Sequence, residues 1–273
     1  MAADLAGVRA LLEVMERLRD PDTGCPWDQK QTMQSLLPYT QEEVYEVMAA
    51  IEQGNMDEIA DELGDLLFQV VFYAKLGAEQ AAFDFDSIAA GTAAKLIRRH
   101  PHVYAEDGRP LGKNDKRPSD AEIKARWEQI KQQERLAKAP EEPTVFRDIP
   151  HNLPAILMAN KLQKRAASVG FDWTEKAPVL DKIEEELDEV RVELERGNQE
   201  AVAAEIGDLL FAVVNLARHC QVNPEAALQQ TNRKFKQRFQ AIEASLAAQG
   251  LTPAEQSLAE LEALWGKVKA NEK

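Results

Sequence analysis

Apolar residues recur at helical spacing along nearly the whole chain, and no run alternates apolar with polar residues as an exposed sheet requires. Val8, Leu11, Leu12, Met15 and Leu18 follow the i, i+3, i+4, i+7 rule, and Pro21 with Gly24-Cys25-Pro26 ends that helix. The periodicity predicts a helical hairpin over 36–53 and 56–76, with Gly54-Asn55 as a turn suited to helix termination. A fourth helix follows over 86–100. Ser119-Asp120-Ala121-Glu122 has the form of a capping box and opens a polar helix to about residue 136. The order then repeats: a helix over 155–169, a hairpin over 179–196 and 199–221, and helices over 224–249 and 253–269. Residues 101–118 and 139–154 read as irregular, the second stretch carrying Pro140, Pro143, Pro150 and Pro154. The expected fold is all-α: a unit over 1–118, a helical and Pro-rich linker over 119–153, and a unit over 154–273. Each unit is a hairpin completed as a four-helix-type bundle by dimerisation.

The repeat extends to the polar residues. Glu42-Glu43-x-x-Glu46, Gly54-Asn55 and Glu62-x-x-Asp65 return as Glu185-Glu186-x-x-Glu189, Gly197-Asn198 and Glu205-x-x-Asp208, always at an offset of 143. Between 42–74 and 185–217, 17 of 33 positions are identical. A shared helical period explains matching apolar positions but not matching acids around a matching turn, so the unit is duplicated and the acids are its chemistry.

Residues three apart share a helix face, which pairs Glu186 with Glu189 and Glu205 with Asp208. Glu189 and Glu205 each lie eight residues from Gly197, or about 12 Å along the axis at ~1.5 Å per residue. An antiparallel hairpin therefore sets the two pairs face to face, and the same holds for Glu43, Glu46, Glu62 and Asp65. Four converging carboxylates repel unless cations neutralise them. Oxygen-only ligands favour a hard cation, Mg²⁺ or Mn²⁺. A di-iron site would need Glu-x-x-His motifs, and the sequence has none; His219 reads as a helix-end residue. A polyphosphate held by such a metal needs basic residues opposite it. Lys182, Lys234 and Arg238 are the candidates in the second half, with Lys95, Arg98, Arg99 and His100 at the comparable place in the first. Trp27 and Trp173 read as core anchors of the loops before each hairpin, and Trp127 as an interface anchor.

The formal charge of −14 argues against broad binding to nucleic acid or an anionic membrane. Cys25 and Cys220 are too few for a disulfide framework. Met1-Ala2-Ala3-Asp4 lacks the features of a signal peptide, and no apolar run approaches the ~20 residues of a membrane span. A cytoplasmic protein is expected.

The ordered acid set resembles the MazG family of all-α nucleoside triphosphate pyrophosphohydrolases, in the two-domain bacterial form and over the whole chain. Arg98-Arg99-His100-Pro101-His102-Val103-Tyr104, Arg126-Trp127-Glu128-Gln129-Ile130-Lys131 and Val169-Gly170-Phe171-Asp172-Trp173 share in it. The resemblance implies hydrolysis of an NTP or dNTP to the monophosphate and pyrophosphate, dependence on Mg²⁺, a homodimer, and a catalytic C-terminal unit. Carried over by position, it implies Glu186, Glu189, Glu205 and Asp208 as metal ligands. Lys182, Lys234 and Arg238 then contact phosphates, and Trp265 contacts the nucleotide. Glu185 is the candidate general base, with Lys234 and Arg238 offsetting developing charge. Two other readings fit the sequence: a narrow-substrate, dUTPase-like pyrophosphohydrolase, and a non-catalytic helical interaction or regulatory module.

Overall fold

A computed structural model describes residues 5–105, 107–112, 118–137, 144–147 and 149–271. Residues 1–4, 106, 113–117, 138–143, 148 and 272–273, which include Pro140 and Pro143 of the expected linker, lie outside the described residues. Among the described residues the regular structure is all α-helix apart from two 3-10 turns and an isolated Tyr104–Pro110 bridge. It divides into two compact units, Met1–Glu134 and Arg135–Lys273.

The first unit holds α1 (Ala6–Leu18), α2 (Leu37–Gln53), α3 (Met56–Glu79), α4 (Phe85–Arg99) and most of α5 (Asp120–Ala137). α2 and α3 form the hairpin, and α1 and α4 pack on α3. Gly54 takes φ 78°, a left-handed conformation that glycine reaches without a Cβ clash, and Asn55 Oδ1 caps α3 by accepting from the Asp57 amide. Met15, Leu36, Val71, Phe72 and Leu76 make one fully apolar core where α1, α2 and α3 meet. Ser119 and Glu122 form the capping box of α5: the Ser119 amide donates to Glu122 Oε2 at 2.8 Å. α5 joins α4 through Glu134, which accepts from both Arg98 and Arg99.

The second unit holds α6 (Ala155–Ala167), α7 (Ala177–Arg196), α8 (Gln199–His219), α9 (Pro224–Ala247) and α10 (Leu258–Asn271). Its α7–α8 hairpin turns on Gly197, with φ 69°, and Asn198 caps α8. α6 packs along α8, α9 touches both, and α10 packs on α9. The last predicted helix starts late: Pro253–Glu255 is a 3-10 turn, and Ser257 opens α10 by its own capping pair with Glu260.

Each unit ties the loop before its hairpin with a forked ion pair. Arg19, at the end of α1, grips Glu79 and also donates to the carbonyl of Asp28. In the second unit the charges are exchanged: Arg218, near the end of α8, grips Asp172 of the loop.

Candidate active site

In the second unit Glu186 projects from α7, and Glu205 and Asp208 from α8, so that one oxygen from each lies within 4.8 Å of the others. Glu186 is buried, Glu205 half-buried and Asp208 exposed. Glu189 stands outside that trio but acts on Glu205 through its charge. Burial, then the charges of Glu189, Asp208 and Glu186, push the Glu205 carboxyl above its usual range. An acid that resists ionisation among other acids is a site that gains from a cation. The donors are all oxygen, as a hard divalent ion prefers.

Lys182, one turn before Glu186 on α7, places Nζ 2.8 Å from Glu185 Oε1 and 2.8 Å from Glu186 Oε1. Hydrogen bonds to Glu185 and then Glu186 hold its ammonium above the usual lysine range. Lys182, Glu186 and Asp208 line one cavity of about 590 Å³, which runs on past Phe211 to Val179, Asn215 and Gln163. That volume suits a small-molecule ligand.

The first unit repeats the acids but not their surroundings. Glu43, Glu62 and Asp65 also lie within 4.8 Å of one another, and Glu46 adds to the charge that, after burial, raises the Glu62 carboxyl. The Glu43 carboxyl is raised by burial, then by Asp65 and Glu46, against a hydrogen bond from Gln69. At the register of Lys182 stands Tyr39; at those of Val179 and Asn215 stand Leu36 and Phe72, 1% and 0% exposed in the apolar core.

Trp173 does not anchor its loop in a core: it is 43% exposed and lines the cavity. Trp27 is 47% exposed and meets Tyr39 edge-on at 5.6 Å. Trp27 is not among the side chains packed on the Met15–Leu36–Phe72 core. Trp127 packs edge-on to His100 at 4.8 Å, with Arg99 and Lys131 near its ring.

Arg238 packs with Trp265 and Phe235 away from the acids, and Lys234 lies one turn before Arg238 on α9. The Arg238 guanidinium lies 5.5 Å from the Trp265 ring centroid, Phe235 lies 5.1 Å from it, and none of the predicted three lines the acid cavity. Arg98 and Arg99 of the first unit are taken up by Glu134. His219 bonds Asp172 at 3.0 Å, at the end of α8. Both cysteines are free thiols. Among the described residues no helix is long and apolar enough to cross a membrane.

Paired acids on a helical hairpin, a lysine among them and a ligand-sized cavity beside them make an all-α protein with an acidic site suited to a cation and a small polyanion. The MazG nucleotide pyrophosphohydrolase domain model matches residues 31–104 and 175–242, once in each unit, and the chain belongs to that family. It is 48% identical over 264 residues to the nucleoside triphosphate pyrophosphohydrolase of Escherichia coli strain K12, covering 96% of this chain and 97% of that one. It is 40% identical over 262 residues to the nucleoside triphosphate pyrophosphohydrolase/pyrophosphatase MazG of Thermotoga maritima, covering 96% and 95%. A crystal structure of a mazG-related protein from Thermotoga maritima overlaps 45% of this chain and 98% of its own, at 26% identity and a TM-score of 0.37.

Sequence reasoning missed Gln163 and Asn215 as cavity residues, and missed Tyr39 as the counterpart of Lys182. The signal for Tyr39 and for Phe72 against Asn215 was the same 143-residue offset that revealed the acids.

Proposed function

We propose that the protein hydrolyses nucleoside and deoxynucleoside triphosphates to the monophosphate and pyrophosphate in the cytoplasm, clearing unwanted nucleotides. The second unit carries the reaction, with Mg²⁺, or Mn²⁺ in its place, held by Glu186, Glu189, Glu205 and Asp208. The observation that supports this most is the sharing of one cavity by Lys182, buried Glu186 and Asp208.

The bound cation would neutralise phosphate charge and acidify a water molecule. Lys182 has two carboxylate partners in the free protein and moves one or both of its hydrogen bonds to a phosphate oxygen when substrate enters. That frees Glu185, half exposed at the edge of α7, to take a proton from the attacking water. The water oxygen bonds to the α-phosphorus, the bond to the bridging oxygen breaks, and pyrophosphate leaves. Lys234, Arg238 and Trp265 lie away from this cavity in one chain. In a homodimer a second copy would bring such a group over the phosphates, where cations offset developing charge. Ile206, Leu210 and Val213 give α8 an exposed apolar side, 44%, 58% and 45% exposed, for a partner to cover.

The test is pyrophosphate release from a mixed (d)NTP panel with Mg²⁺, comparing wild type with Glu43→Gln and Glu186→Gln. The expected result is loss in Glu186→Gln alone. Equal loss in both variants makes both units catalytic, and no release by wild type removes the enzymatic reading.

A further inference from the structure

The acid cavity has a second polar end that the phosphate chemistry does not use. Asp208 and Asn215 lie seven residues apart on α8, as do Glu186 and Val179 on α7. At ~1.5 Å per residue the cavity therefore steps about 10 Å along the hairpin from the acids, the reach of a nucleoside from its α-phosphate to its base.

Two buried amides stand at that end, and each has a fixed orientation. Gln163, 7% exposed, donates from Nε2 to the Phe211 carbonyl at 2.7 Å, so Oε1 is its remaining end. That Oε1 is fully buried and has no hydrogen-bond partner. A buried acceptor without a donor is unfavourable, and a small rotation of the side chain that brings Oε1 to the cavity surface would let a ligand N–H satisfy it. Asn215, 8% exposed, accepts at Oδ1 from Arg218 Nε at 3.0 Å, and Arg218 is itself gripped by Asp172. Arginine only donates, so the Asn215 carboxamide cannot turn over, and its NH₂ is left as the free end. Phe211 and Trp173 supply aromatic surface beside them.

We propose that Gln163 and Asn215 read the edge of the substrate's base: Gln163 Oε1 accepts from a base N–H while Asn215 donates to the neighbouring acceptor. The inference rests on the second unit being the site of NTP hydrolysis and adds to it a residue-level basis for base selection. Every ordinary base carries a donor beside an acceptor on its pairing edge. The pair therefore admits several bases and rejects those whose donor is missing or blocked.

The experiment measures kcat/KM for ATP against purine riboside triphosphate, which lacks the 6-amino donor, and for UTP against N3-methyl-UTP. Wild type, Gln163→Leu and Asn215→Asp are compared. Wild type should discriminate on the order of 10- to 100-fold against each donor-less analogue, and Gln163→Leu should bring both ratios close to one. Asn215→Asp keeps the Arg218 bond, so the loop stays tied. It should shift preference towards guanine, whose N1–H and 2-amino group offer two donors. Variants that slow all substrates equally, or wild type that turns over the analogues as well as their parents, overturn the proposal and leave the hydrolase reading intact. Wild type that releases pyrophosphate from no nucleotide overturns that reading itself, and this proposal with it.

Discussion

Phe72 and Asn215 occupy one register position in the two units, each eighteen residues beyond the turn glycine of its hairpin. Phe72 is sealed at 0% exposure against Met15 and Leu36, whereas Asn215 lines an open cavity. An apolar residue in place of a polar one is thus among the exchanges that accompany a filled core in one unit and an open cavity in the other, two turns from acid clusters with the same spacing. The exchange predicts the effect of Asn215→Phe: the ring occupies the cavity, and NTP turnover falls at least about 100-fold while the helical circular dichroism stays unchanged. The reverse change, Phe72→Ala, should leave turnover intact and cost roughly 3–5 kcal/mol of first-unit stability, read by denaturant titration.

Lys182 gives a second contrast, because Tyr39 replaces it in the first unit. Lys182→Met removes the cation from a buried glutamate and from the proposed phosphate contact together. Loss of kcat by about 10²–10³ is expected, the range for removing one aligned charge-stabilising donor. Retention of kcat with only a raised KM would show that Lys182 binds substrate without acting on the transition state.

How much of this was legible follows from what each feature depends on. The acids, the turn and their common height along the axis were readable because an antiparallel hairpin turns sequence distance from Gly197 directly into position. Tyr39 and Phe72 were equally readable by register, but they are two of many positions at which the copies differ, and nothing in their spacing marks them out. The orphaned oxygen of Gln163 was not readable, since it depends on α6 docking against α8 so that its amide meets the Phe211 carbonyl. Trp173 misled for a related reason: an indole at a loop start looks like a core anchor until the space beneath it proves to be a cavity.

Acidification should weaken metal binding. Glu205 keeps its proton to a higher pH than an ordinary glutamate, whose reference value is 4.5. A divalent cation needs the ionised form, so affinity falls as pH drops through that raised value, which lies above 4.5. In metal-free protein the sign is opposite: the folded state holds this proton more tightly than the unfolded chain, and stability declines as pH rises through the same value. Calorimetric titration of Mn²⁺ between about pH 5 and 7 checks the first sign. Melting temperatures with and without metal check the second.

Glu134 behaves the other way. Hydrogen bonds from Arg99 and Arg98 lower its carboxyl to about 2 from 4.5. Its contribution is therefore present above the unfolded value of 4.5 and lost as pH falls towards about 2. Glu134→Gln should cost on the order of 1 kcal/mol at pH 7, part of it discounted because Arg98 is largely exposed. The gap from wild type in urea midpoints should narrow as pH is lowered from 4.5.

The exposed side of α8 yields the last prediction. Ile206 and Leu210 lie four residues apart, and Leu210 and Val213 three, so they share a face, while Val202 and Val214 are buried within the unit. A helix apolar on two sides needs two partners; α6, α7 and α9 all pack on α8, yet Ile206, Leu210 and Val213 stay uncovered by any of them. Leu210→Arg puts a charge at the centre of the uncovered side without touching an acid. Sedimentation equilibrium should give a dimer for wild type and a monomer for the variant. If the dimer completes the site with Lys234, Arg238 and Trp265, the monomer should lose turnover although Mn²⁺ still binds Glu186 and its neighbours. A monomeric variant with full activity would mean that one chain holds the whole active site, and that the Arg238–Trp265 pair serves only to fasten α10 to α9.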